Sequence, residues 1–240
     1  MAQDRFVPAT SLRHDRSAND NVDLGLRQFL LQVYNCMAGA LCLSGLTAYL
    51  AIETGFYQRI AGTGFIWLVI FAPLVALLFL TIRLEKMPLA SVMALFWIYA
   101  CLMGLSFAGI FLIYTNESIV RTFFISAAIF AATSLYGYAT KADLSRFGSI
   151  LTMALLATIV VSFANILLAS TILQIAVSAV AAVLFVGLTA YDTQRLKQIY
   201  QACYPSEPTV KMALMGALTL YLDFINLFVL LLQFSGDRRR

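Results

Sequence analysis

The chain has 240 residues, of which 61% are hydrophobic and 12% charged, with a formal net charge of +4. Soluble domains carry about 25% charged residues, so at this length there are too few charges to coat a water-facing surface. That excludes an ordinary soluble domain. The basic excess is read as anchoring the ends of membrane spans, not as a nucleic-acid surface.

Residues 1–27, MAQDRFVPATSLRHDRSANDNVDLGLR, are polar and mixed in charge. No apolar stretch suited to a cleavable signal lies near the start. They read as a flexible cytoplasmic tail, and residues 28–240 as a transmembrane domain. Seven apolar runs follow, at roughly 28–51, 64–83, 88–114, 118–139, 148–169, 171–195 and 211–234, each near the about 20 residues that cross a bilayer as a helix. The runs are continuously apolar and do not alternate, which predicts helices and not a barrel. The fold class expected is an all-α polytopic membrane protein with seven transmembrane helices. The second run contains Pro73. The fifth connection, around residues 169–171, is short and uncharged, which predicts a tight hairpin. The sixth, QIYQACYPSEPTVK, carries Pro205 and Pro208, which end one helix and start the next.

Lys and Arg fix the expected orientation. Arg5, Arg13, Arg16 and Arg27 in the tail join Arg83, Lys86, Lys141, Arg146, Arg195, Lys197 and Lys211 in alternate connections, eleven on one side. Arg59, Arg121 and Arg238, Arg239 and Arg240 make five on the other. The richer side is expected in the cytoplasm, with the amino terminus. Seven spans then put the carboxyl terminus outside, against the preference of its Arg triplet. An eighth or re-entrant segment would satisfy that triplet, but no eighth hydrophobic run exists.

Cys36, Cys42 and Cys101 fall within spans and Cys203 in the sixth connection, with no metal-type spacing, and His14 is the only histidine. The sequence has no G-x-S-x-G, H-E-x-x-H or phosphate-binding glycine loop. Enzymatic activity is therefore not expected, nor any cofactor beyond a transiently bound Ca2+.

The costly residues are Asp192 and Asp223, which sit inside the sixth and seventh apolar runs. Acids in hydrocarbon are rare and mark a partner, a cavity or an ion pathway. Asp223 shares one helical face with Thr219, Asn226 and Gln233, a stripe suited to a helix interface or a hydrated cavity. Thr158, Ser162 and Asn165 make a similar face on the fifth run, where interhelical hydrogen bonding is the plain expectation. Asp192 has an alternative in an intrahelical ion pair with Arg195 three residues on. Asp223 has no basic residue within a turn. It lies about 18 Å along a helix from Lys211, and Asp192 about 12 Å from Tyr200, so the two acids are expected to be able to meet in the inner half of the bilayer. Meeting carboxylates would share a proton and form part of a cation site. Ca2+ would need further oxygens from Thr219, Asn226, carbonyls or water.

The segments LFVGLTAYDTQRLK (184–197), GALTLYLDFINLF (216–228) and YGYATKADLSRF (136–147) resemble the Bax inhibitor-1 family, closest to its bacterial YccA/YbhL-like branch. The likeness runs from about residue 24 onward. It implies seven helices with the last enclosed by the other six, set in the bacterial inner membrane. It also implies a pH-sensitive calcium leak in which Asp192 and Asp223 form a proton-sharing latch and tentative Ca2+ ligands. In calcium-leak members an arginine of the second helix binds one of these acids. The nearest basic residues here are Arg83 and Lys86. Arg195, Thr219 and Asn226 are the other candidate supports. The alternative that the resemblance implies is a regulator that binds and modulates a membrane-bound AAA protease, for which the tail would be a handle.

Overall fold

The computed structural model describes residues 9–84, 86–203 and 210–239, with side chains from Leu24 onward. The helices among them are α1 (Ala9–Glu53), α2 (Phe56–Ala61), α3 (Phe65–Arg83), α4 (Leu89–Phe107), α5 (Ile110–Ile113), α6 (Asn116–Ala139), α7 (Ser145–Leu168), α8 (Thr171–Cys203) and α9 (Val210–Ser235). Seven spans are long and apolar enough to cross a membrane, with α5 continuing the third. The chain is a polytopic α-helical membrane protein.

The spans agree with the apolar runs to within a few residues, except at two ends. Residues 9–23 continue α1 in place of the separate tail expected there. Between Pro8 and Gly25 the sequence holds no helix breaker, and an apolar helix already nucleated downstream propagates at little cost per residue. Helix α8 runs on to Cys203 because nothing before Pro205 interrupts it. Pro205, Pro208, Arg5 and Arg240 lie outside the described residues, as do the side chains of Arg13 and Arg16.

Most apolar surface in these helices faces outward, as a lipid environment requires. Trp67, Leu78, Ile150, Val160 and Leu167 are all exposed. Helix α9 is the exception, with Ala213, Ala217, Leu220, Tyr221 and Leu227 fully enclosed. Its principal neighbours are α1, α4, α6 and α8, while α3 packs mainly on α4 and α7 on α8. The last helix is thus the axis of the bundle, as the family likeness implied, although α3 and α7 form an outer layer and not part of its immediate wall.

Two devices bring the helices together. At Gly137 a Cβ would sit 2.2 Å from the carbonyl oxygen of Ala190, and at Gly104 one would sit 2.3 Å from that of Ser44. These glycines let α6 approach α8, and α4 approach α1, backbone to backbone. A buried hydroxyl pair then fixes α9: Tyr221 Oη and Ser44 Oγ are 2.8 Å apart, with Ala100 O 2.7 Å from Ser44 Oγ. Tyr99 packs edge-on to Tyr221 at 5.8 Å.

The ends of α9 are tied as well. Lys211 Nζ donates to the Met87 carbonyl in the α3–α4 connection. At the other end Thr115 N donates to Asp237 O at 3.0 Å and Arg239 N to Ile113 O at 2.8 Å, an antiparallel bridge centred on Tyr114 and Arg238. Arg121 pairs with Asp237 at 3.1 Å. The carboxyl end is therefore pinned to the face opposite the start of the first span, and Arg238 and Arg239 reside there without an eighth segment.

Two variants test this packing. Gly137→Ala is expected to force α6 from α8 and lower stability by about 1–3 kcal/mol, the usual range for overpacking. Tyr221→Phe, which removes one buried hydrogen bond and no volume, is expected to lower it by about 1 kcal/mol. Both are read from unfolding in detergent or bicelles.

Candidate functional site

Helix α8 presents different groups to different neighbours, and this sets where Asp192 points. Gln194 Nε2 donates to Ala142 O at 2.7 Å, and its Oε1 accepts from Leu144 N at 2.8 Å. That clamps α8 to the α6–α7 connection. Thr193 Oγ1 lies 3.0 Å from Ser134 Oγ on α6, and Ser134 in turn meets the Tyr34 hydroxyl of α1. Outside the membrane span in that connection, the Ser145 side chain, together with its backbone N at 2.9 Å, hydrogen-bonds Asp143 and holds its carboxyl below the usual carboxylate range. With Thr193 and Gln194 committed to α6 and its connection, Asp192 is turned toward α9.

Helix α9 is oriented in the same manner. Tyr221 is fixed on α1, and Phe224 packs edge-on against Phe130 at 5.7 Å and Phe123 at 5.4 Å on α6. Asp223 is left facing α8. The two carboxyl groups lie within hydrogen-bonding reach of each other, in the meeting that helical rise allowed. Asp192 is half-buried and Asp223 only 6% exposed. Asp223 Oδ2 is fully buried and has no hydrogen-bond donor among the described residues. Two ionised carboxylates have no proton to offer one another.

Among the described residues the one ion pair is Arg121–Asp237. Asp192 and Arg195 do not close into the intrahelical pair that was the alternative for this acid. Arg195 lies exposed one turn away and acts on Asp192 through its field. Thr219 and Asn226 both border the space beside the acids, the Thr219 hydroxyl donating to its own helix at Met215 O, 3.1 Å. Arg83 is not at the site. It is exposed at the end of α3 with its guanidinium 5.9 Å from the Phe79 ring centroid, and Lys86 is exposed in the next connection. The reason is packing: α3 sits on α4, a layer away from α8.

The acids open onto a groove of about 1510 Å3 bordered by α7, α8 and α9. Its polar lining includes the expected faces, Thr158, Ser162 and Asn165 on α7 and Gln233 on α9, together with Gln174 and Ser178 of α8, which the sequence reading missed. Gln233 does bond across helices, 3.1 Å from Ser178 Oγ. The α7 hydroxyls do not; they bond back into their own helix. Gln194 and the Tyr34–Ser134–Thr193 chain were also missed, although a Gln and two Thr beside an intramembrane Asp are signals for such a network. No group of three or more His, Cys, Asp or Glu able to hold a metal occurs among the described residues, and Asp192 and Asp223 are the acidic residues that line the groove.

Residues 26–240 match the family described as inhibitor of apoptosis-promoting Bax1. The chain is 39% identical to the inner membrane protein YbhL of Escherichia coli K12 over 98% of its length and 100% of that protein's. It is 44% identical to an uncharacterized protein of Rickettsia prowazekii over 93% of its length and 95% of the relative's. A Caulobacter vibrioides protein is 40% identical over 96% of both chains. With a single family matching nearly the whole membrane domain and relatives aligned end to end, the chain belongs to the Bax inhibitor-1 family.

Proposed function

We propose that this protein is a calcium leak of the bacterial inner membrane and that Asp192 and Asp223 are its proton-operated latch. The observation that carries the reading is Asp223 Oδ2, buried and without a donor while facing a second carboxyl. One proton between the two groups makes a neutral hydrogen bond that holds α8 to α9. Loss of that proton leaves two like charges in contact where the effective dielectric is low. The helices then separate, or a cation enters. Among the described residues the charges acting on the pair are those of the two acids and Arg195.

The donor set suits a passing Ca2+ better than a stored one. Ca2+ takes six to eight oxygens, and two carboxylates supply at most four. Thr219, Asn226 and water supply the rest, so the ion is held weakly enough to leave, as conduction requires. The relative in Escherichia coli is named an inner membrane protein, which supports the location, and the basic face that carries Arg83, Lys141, Arg146 and Lys197 supports a cytoplasmic amino terminus.

The sign of the pH effect follows from the latch. The protonated pair is closed and the doubly charged pair open, so Ca2+ influx into vesicles carrying the purified protein rises with pH. The steepest rise is about tenfold per unit, the limit for one proton. In Asp223→Asn the amide donates permanently to Asp192, and influx is expected to fall to near the protein-free background and to lose its pH dependence. Influx that ignores pH and survives this substitution overturns the latch.

A further inference from the structure

Beyond the latch lies the question of how an ion reaches it, and the groove beside α7 bears on that. We propose that the groove between α7, α8 and α9 is the hydrated route by which cations reach and leave the aspartate pair, with the hydroxyl face of α7 as its wall. This rests on the leak reading above and adds the path and the residues that line it.

Extent is the first argument. The groove lining runs along α7 from Gly148 to Ala169 and along α8 from Gln174 to Arg195. Each stretch corresponds to about 32 Å of helical rise, against a hydrocarbon thickness of about 30 Å. A pocket for a resident ligand need not traverse the bilayer, whereas a route must. The acids line this length near its Arg195 end.

Chemistry is the second. Thr152, Thr158 and Ser162 face the groove, yet each donates its hydroxyl hydrogen to its own helix, to Gly148 O, Ala154 O and Thr158 O at 2.8, 2.7 and 2.8 Å. The donors are spent and the oxygen lone pairs remain. Such a wall accepts hydrogen bonds from water and coordinates cations, and it offers nothing to an anion. Asp223, its Oδ2 buried and without a donor, lines the same groove and independently asks for a cationic or proton-bearing occupant.

Architecture is the third. Helix α7 has α8 as its principal neighbour, and Gly148 is its only buried residue. It stands off α9, and the space between is the groove. The exposed guanidinium of Arg195 borders the groove on the basic face, where its charge slows cation entry, in keeping with a leak and not a fast channel.

The test places single cysteines in a background with Cys36, Cys42, Cys101 and Cys203 replaced by alanine. Thr158→Cys and Ser162→Cys lie on the groove. Leu156→Cys and Val160→Cys lie on the same helix outside it, at residues 59% and 66% exposed. Vesicles carrying each variant are treated with a cationic, membrane-impermeant methanethiosulfonate, and labelling and Ca2+ influx are read together. The route predicts labelling at 158 and 162 with a several-fold loss of influx, and neither effect at 156 and 160. Influx that stays pH-dependent while 158 and 162 remain unlabelled, as in a groove filled by an acyl chain, overturns the route and leaves the latch standing. Equal labelling at all four positions overturns it too. Labelling at 158 and 162 without influx from the untreated protein overturns the leak itself, and the route falls with it.

Discussion

The contact between the Asp192 and Asp223 carboxyl groups is the constraint around which the rest of this bundle is arranged. A buried carboxyl oxygen without a donor is costly in a membrane interior, so the helices that bring the two acids together must be held by interactions that outweigh the penalty. They are held at many points. Gln194 and Thr193 commit one side of α8 to α6 and its connection. Tyr221 and Phe224 commit two sides of α9 to α1 and α6. Both ends of α9 are tied to connections between other helices. Each acid faces the other because the α1 and α6 directions are occupied.

The same logic explains why the central helix carries the unpaired acid. In lipid there is no hydrophobic drive between helices, so association rests on close packing and on polar groups that find partners. Helix α9 has four principal neighbours and can anchor a costly group through all of them. Helix α7 has one, and its groove-facing Thr152, Thr158 and Ser162 are satisfied by its own backbone. Costly chemistry sits where restraint is densest, and self-satisfied polarity where it is thinnest.

What the sequence reveals here follows from the physics of each feature. Span positions are legible because a bilayer demands about 20 apolar residues, a property of local composition. The meeting of Asp192 and Asp223 is legible in depth because helical rise is fixed, and in direction only through family likeness. Arg83 shows the limit. Its position at the end of the second span is plain from hydropathy, yet whether that span touches α8 depends on packing order, which hydropathy does not encode. It sits instead over Phe79. Thr158 and Ser162 show a second limit: periodicity reveals that residues share a face but not what the face meets, and interhelical bonds were the wrong expectation for hydroxyls that border a groove. The carboxyl end shows a third. Three arginines argued for the basic face by charge alone, and a few backbone hydrogen bonds with the Arg121–Asp237 pair hold Arg238 and Arg239 at the opposite one.

The latch we propose has to be weak on one side to be useful. If α9 were enclosed equally by all six other spans, losing a proton from the acid pair would raise the energy of the bundle without opening anything. The layered arrangement avoids that. The α6 and α1 sides of the pair are stapled by hydrogen bonds and aromatic contacts, while the α7 side is lined by a groove instead of packed side chains. Repulsion between the acids therefore has one direction in which relief is cheap, toward a space where water or a cation can enter. In the proposed latch the strong packing of α9 and the thin packing of α7 are thus two halves of one device: the first would force the carboxyl groups into contact, and the second would give their charge somewhere to go.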